Sequence, residues 1–278
     1  MHTTLTLRRF GAFMMIVGSA VLAPGGVALA AGTGVQLTGT PPPPTRGEAK
    51  AQATEEAKFQ AWLSGQDPVA TATTVGTMSA AGAVISASSI TPMLVDAPHY
   101  QLSTTSHKQA TNYYCGPATC QIIDDFWHGY QTQATYAAKF GMCTTSAGTN
   151  FYLMDDVLRF FTGKTSYQYY DYSSVTSLGE VYARTAYALG TKHFPMAYLL
   201  TVDGSAWPNY VYDHAGHILC GDGFDWRYNT IAVNDPYPEN DPVVGRGSTG
   251  GNTYGHKTYG KSIIGNGVLG LWQHAMIY

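Results

Sequence analysis

Cysteine is scarce in this chain, with only Cys115, Cys120, Cys143 and Cys220 among 278 residues. That excludes a scaffold built on disulfides, which needs many more bridges for a polypeptide of this length. Charge is scarce as well, at 12% of residues, and no cluster of lysine or arginine follows residue 30. This argues against nucleic acid or an anionic membrane surface as a partner. Long apolar runs are also missing. The best candidate, Gly11 to Ala23, falls short of the roughly 20 residues needed to span a bilayer. Hydrophobic residues nonetheless make up 45% of the chain, so a buried core must carry the fold.

The first thirty residues have the three-part layout of a secretory signal peptide: Arg8 and Arg9, then the apolar run, then Ala28-Leu29-Ala30 before Ala31. The residues around Arg8-Arg9 fit a twin-arginine motif poorly, so Sec export is expected. The mature protein is expected to be secreted and extracellular, with no membrane association after signal removal. Its net charge falls from −3 to −5, because Arg8 and Arg9 are lost and no acid is.

Residues 31–96 are rich in Ala, Thr, Gly and Ser and contain the run Pro41 to Pro44. Such a composition predicts a low-complexity linker or a propeptide rather than a packed domain. Within it, Arg46 to Leu63 reads as one amphipathic helix with Phe59, Trp62 and Leu63 on one side. As a propeptide, this helix would dock across the cleft between the Cys115 helix and the His217 hairpin. The folded domain is expected to be 97–278.

The first half of that domain reads as helical. A helix is expected from Cys115 to Trp127, with Ala118, Ile122, Ile123 and Phe126 on one face and Gly129 beyond its end. A second follows Asn150 as N-cap, with Leu153, Met154, Val157, Leu158 and Phe161 as a buried stripe and Gly163 as its stop. A third begins with the capping box Ser177 to Glu180 and ends before Gly190, and a short one spans Thr132 to Phe140. The second half changes period. Pro195 to Val202, His217 to Phe224 and Thr230 to Val233 read as strands, the last two joined as a hairpin. Gly245 to Lys261 is expected to be a surface loop, and Gly265 to Tyr278 to supply a last strand or two. Helices followed by antiparallel strands make an α+β domain.

The stretch "NYYCGPATC" puts Cys115 at a helix start. Gly116 permits a tight entry, and Pro117 suits the first turn, where a missing N–H costs nothing. A thiol at a helix N-terminus next to a histidine can have its pKa lowered to roughly 3 to 4. "DHAGHILCGDGFD" supplies His217 at the head of a strand, and "IAVNDPYP" ends the next strand with Asp235. A hairpin of that length brings His217 and Asp235 side by side, so a nucleophile, a base and an orienter come in the order Cys, His, Asp. His214 competes with His217, and His214-x-x-His217 could be half of a metal site, though no further ligands appear at suitable spacing. Asn234 competes with Asp235. Neighbours in a strand point to opposite faces, so only one of the two can meet His217.

These features resemble the papain-fold cysteine peptidases: cysteine before Gly-Pro at a helix start, Gln109 six residues earlier, Gly216-His217 opening a strand, and Asp235 before Pro236. Within that group they are similar to the bacterial bacteriocin-leader-processing (double-glycine) peptidases and their secreted relatives. "GMCTTSAGTNFYLMDDVLRFF" also resembles a segment of those relatives. The resemblance covers about residues 99–240 and leaves the last forty unmatched. It implies Cys115 as nucleophile, His217 as general base, Asp235 as its orienter and Gln109 as an oxyanion-hole donor.

The expected function is therefore a secreted cysteine peptidase that hydrolyses peptide bonds through an acyl-enzyme. It would act as a monomer on a peptide or protein substrate, without metal or organic cofactor. Two alternatives stand beside it: acyl or peptidyl transfer on the same fold, as in the phytochelatin-synthase relatives, and a non-catalytic secreted binding protein. Of the remaining thiols, Cys120 and Cys143 are the pair expected to form a disulfide.

Overall fold

The computed structural model describes residues 46–65, 98–145 and 147–278. Residues 1–30, expected to be a signal peptide, and residues 31–96 apart from 46–65 lie outside the described residues. Helix α1 spans Arg46–Gly65, β1 is His99–Gln101, and α2 is Cys115–Trp127, the span predicted from the sequence. Helix α3 is Gln133–Ala138, capped by the Thr132 side chain, which accepts from the Thr135 amide. A two-stranded ribbon, β2 (Cys143–Thr144) and β3 (Gly148–Thr149), leads into α4 (Met154–Thr162). The left-handed backbone of Gly163 (φ 66°) ends α4, as a C-terminal glycine does. After β4 (Tyr169–Tyr170), Ser177 caps α5 (Leu178–Ala186) by accepting from the Glu180 amide.

The rest of the domain is a sheet. Strands β5 (Met196–Val202), β6 (His214–Asp225), β7 (Thr230–Asp235) and β8 (Gly255–Gly260) are followed by α6 (Lys261–Leu269) and β9 (Met276–Ile277). The antiparallel order is β4-β9-β5-β6-β7-β8, with β1 added on β6. Strand β5 explains its own unbroken apolar run. Met196, Tyr198, Leu200 and Val202 face one core with α5 and α6, while Ala197 and Leu199 face a second core with α2 and α4. The architecture is the expected α+β one, with α2 to α4 packed on one face of the antiparallel sheet.

The C-terminal expectation is corrected. The predicted loop contains β8, and residues 265–269 lie in α6 rather than in a strand, while β9 is the last strand expected within 265–278. Gly265 and Gly267 are poor helix formers, yet a Cβ at Gly265 would meet Leu178, and one at Gly267 the Thr201 carbonyl 2.9 Å away. Close packing of α6 on α5 and β5 outweighs propensity there.

The place of α1 is also corrected. It docks on the domain, but its partners are Arg184 of α5, Tyr187, Lys192 and the Tyr169 carbonyl, not α2 or the β6–β7 hairpin. Phe59 is fully buried. Its ring lies 5.5 Å from that of Tyr187, with the Arg184 guanidinium 4.3 Å above it. Arg184, itself buried, binds Glu56 through two nitrogens, at 2.9 and 3.0 Å, and also holds Glu180 and the Tyr278 hydroxyl.

Candidate active site

Cys115 stands at the first position of α2, packed into the core that α2 shares with the sheet. Its neighbour Gly116 cannot be larger, because a Cβ there would lie 2.2 Å from Thr149 Cγ2. The β2–β3 ribbon thus closes over the helix start, and Cys143 on it donates its thiol to the Tyr113 carbonyl (3.4 Å). The first intrahelical bond runs from the Ala118 amide to the Tyr114 carbonyl. Pro117 has no N–H to lose, so the Cys115 and Gly116 amides remain at the open end of the helix.

Strand β6 meets this end. Thr119, one turn into α2, donates to the Ile218 carbonyl (3.3 Å), and the Ile218 amide hydrogen-bonds the Cys115 sulfur. His217 is therefore next in chain to a residue whose amide reaches the Cys115 sulfur and whose carbonyl is held by Thr119. Its Nε2 donates to Asp235 Oδ1 at 3.0 Å, with both side chains buried. Asp235 ends β7, as the hairpin reading requires, while Asn234 faces the other way and binds Thr104 (3.2 Å). The pairing of His217 with Asp235 is resolved against Asn234. His214 opens β6 instead of His217, and its Nε2 lies 3.5 Å from Glu239 Oε1. Burial pushes the His214 pKa down to about 3, so the ring is neutral.

Gln109 is brought to the same end of the sheet. Its amide N–H donates to the carbonyl of Pro236, the residue after Asp235 (2.9 Å), and its side-chain Nε2 donates to the Thr111 carbonyl (2.7 Å). The segment leading to it is fastened across β6 to β8. Thr104 donates to Asp222 (2.7 Å), and His256 reaches Asp222 through Nδ1 and the Thr104 carbonyl through Nε2, both at 2.9 Å. Both ring nitrogens face acceptors, which suits an imidazolium, and the Asp222 hydrogen bond raises the His256 pKa. An open groove of about 460 Å³ runs beside Thr104 and His256, but none of Gln109, Cys115, His217 or Asp235 lines it.

Two expectations fail here. Burial pushes the Cys115 thiol up to about 12, against the pull of the Ile218 and Gly116 amides, so the resting sulfur carries its proton. The helix end and a histidine were expected to lower it, but the loss of water outweighs the backbone amides that do so. Cys120 and Cys143 form no disulfide; all four cysteines are buried thiols. Cys120 faces the core between α2 and the sheet, whereas Cys143 is turned to Tyr113.

Residues 98–258 match the Peptidase_C39 like family, which is more than half of the chain. The chain belongs to that family. It is thus a cysteine-type peptidase by family, with a C39-like domain on the α+β fold described above. Among solved structures, this C39-like chain is similar to the peptidase domain of Streptococcus ComA, a bi-functional ABC transporter involved in a quorum-sensing pathway. Identity is 12% over 64% of this chain and 96% of that one, with a TM-score of 0.37. It is also similar to a C39-like peptidase from Bacillus anthracis, at 12% identity over 65% of this chain and 96% of that one, with a TM-score of 0.39. No curated protein sequence matches it. Among the described residues of this C39-like chain, no helix is long and apolar enough to cross a membrane.

Sequence reasoning missed the surroundings of Asp235. Tyr210 and Asn252 both donate to its Oδ2, at 2.6 and 2.8 Å. Asn252 lies in the Gly-rich stretch read as a loop, where no periodicity marks a buried position.

Proposed function

We propose that this C39-like chain is an exported peptidase, with residues 1–30 as its signal, that cleaves peptide bonds through a Cys115–His217–Asp235 triad and an acyl-enzyme. The observation that carries the reading is the 3.0 Å bond from His217 Nε2 to Asp235 Oδ1, with the Ile218 amide on the Cys115 sulfur. Asp235 occupies Nε2, which leaves Nδ1 to accept a proton. Because the resting sulfur is a thiol, His217 takes its proton as the sulfur attacks the substrate carbonyl carbon. The Cys115 amide and the second Nε2 hydrogen of Gln109 receive the developing oxyanion. The imidazolium, held by Asp235, then protonates the leaving amine, and the thioester is hydrolysed by water that gives its proton back to His217.

The test uses the full chain and its Cys115→Ala variant, incubated with a diverse peptide library whose cleavage sites are read by mass spectrometry. Cleavage is expected from the parent chain only, with both proteins melting alike. Variant activity above about a hundredth of the parent would refute the mechanism, since losing a triad nucleophile costs orders of magnitude more.

A further inference from the structure

The Asp235 carboxylate is fully buried and accepts four hydrogen bonds. Oδ1 takes the His217 ring and the Tyr237 amide (2.9 Å). Oδ2 takes the Tyr210 hydroxyl and the Asn252 side-chain amide. A carboxylate held at one oxygen can still turn about its Cβ–Cγ bond. Two donors converging on the other oxygen remove that freedom.

Neither donor belongs to the hairpin that carries His217 and Asp235. Tyr210 lies between β5 and β6, and Asn252 between β7 and β8. The two segments meet on Glu239, which is fully buried and accepts from the amides of Val211 (2.8 Å), Tyr212 (3.0 Å) and Asn252 (3.2 Å). One carboxylate thus fixes the backbone beside both donors. Burial and the Asp235 charge raise the Tyr210 phenol well above its ordinary pKa, so it remains a donor. Asn252 is oriented by a second bond, to the Tyr237 carbonyl (2.6 Å).

We propose that Tyr210 and Asn252, set in place by Glu239, are positioning residues that lock the Asp235 carboxylate so that it aims the His217 ring at Cys115. The inference rests on the reading of Asp235 as the orienter of His217. A lock of this kind acts only through His217, so it has a signature that simple loss of packing lacks: its removal changes nothing further once the His217 ring is gone.

The test is the second-order rate of iodoacetamide alkylation at Cys115 in the full chain from pH 4 to 9, read on the Cys115 peptide by mass spectrometry, with melting temperature in parallel. Tyr210→Phe keeps the ring and Asn252→Ser keeps a small polar side chain, so either can be scored if the other fails to fold. Each is expected to slow Cys115 alkylation by about tenfold across this range, the scale of a hydrogen bond to a charged group, and to slow it no further in a His217→Ala background. Folded variants with the parent rate, or with the same slowing in the His217→Ala background, would overturn the proposal. Asp235→Asn and His217→Ala separate the two levels. If they alkylate like the parent, the triad reading falls and the positioning proposal with it. If they are slow while Tyr210→Phe and Asn252→Ser are not, the positioning proposal alone falls.

Discussion

Replacing Phe59 by alanine should destabilise the protein by about 3 kcal/mol without changing the activity of folded molecules. The ring is fully buried and touches Trp62, Tyr187 and the Arg184 guanidinium. Loss of a buried phenylalanine costs about 3 to 5 kcal/mol when the cavity persists, and the cation above its face adds roughly 0.5 to 2 kcal/mol. The low end applies here, because α1 is a peripheral helix and the cost is bounded by its free energy of docking. The ion pairs of Glu56 with Arg184 and of Glu55 with Lys192 still hold it. The assay is urea unfolding with linear extrapolation, in which the midpoint should fall at constant slope. The melting temperature should drop by about 6 to 12 °C for a unit of this size. Activity per folded molecule should match the parent, since α1 has its partners on α5 and beyond rather than on α2 or the β6–β7 hairpin. A loss under about 1 kcal/mol would refute the packing argument. A rise in activity would refute the placement, by showing that α1 restrains the site.

Asp235→Asn should lower peptidase activity by about two orders of magnitude or more, because the imidazolium loses its counter-charge, whereas Asn234→Ala, on the opposite face, should cost far less; steady-state assays that gave the reverse order would put the wrong residue on His217. Burial raises the Asp155 pKa to about 6 despite Arg159, so the folded state holds this proton more tightly than the unfolded one. The resulting stability is fully present below the unfolded value and is lost as pH rises through 6. The stability of the parent relative to Asp155→Asn should therefore shrink by about 2 to 3 kcal/mol between pH 3 and 7. Urea titrations showing a constant difference would contradict the buried-carboxyl argument.

The parts of this molecule that could be read from its residues are those set by local chemistry. Cys115-Gly116-Pro117 dictates a helix entry, and α2 begins there. Ser177 and Glu180 make their cap as spaced. The hairpin from His217 to Asp235 closes as its length demands, which is why two site candidates on different strands come within hydrogen-bond reach. What could not be read depends on distant packing. The thiol pKa of Cys115 depends on a ribbon and strands that exclude water from it. The glycines of α6 contradict its propensity and are explained only by Leu178 and the Thr201 carbonyl. Strand β8 hides in Gly255 to Gly260 because an edge strand of Gly, His, Lys and Thr with a single apolar residue, Tyr259, lacks an alternating pattern. Gln109 came from family resemblance alone, and its place beside Pro236 is made by the Thr104–Asp222–His256 fastening, which has no local signature.

That none of the four cysteines is joined in a disulfide carries a practical and biological consequence. No step of maturation has to wait for an oxidant or a disulfide isomerase, so the chain can reach its native state in a reducing compartment as readily as outside the cell. A reductant in the buffer should leave the fold intact, and material recovered from denaturant needs no redox shuffling.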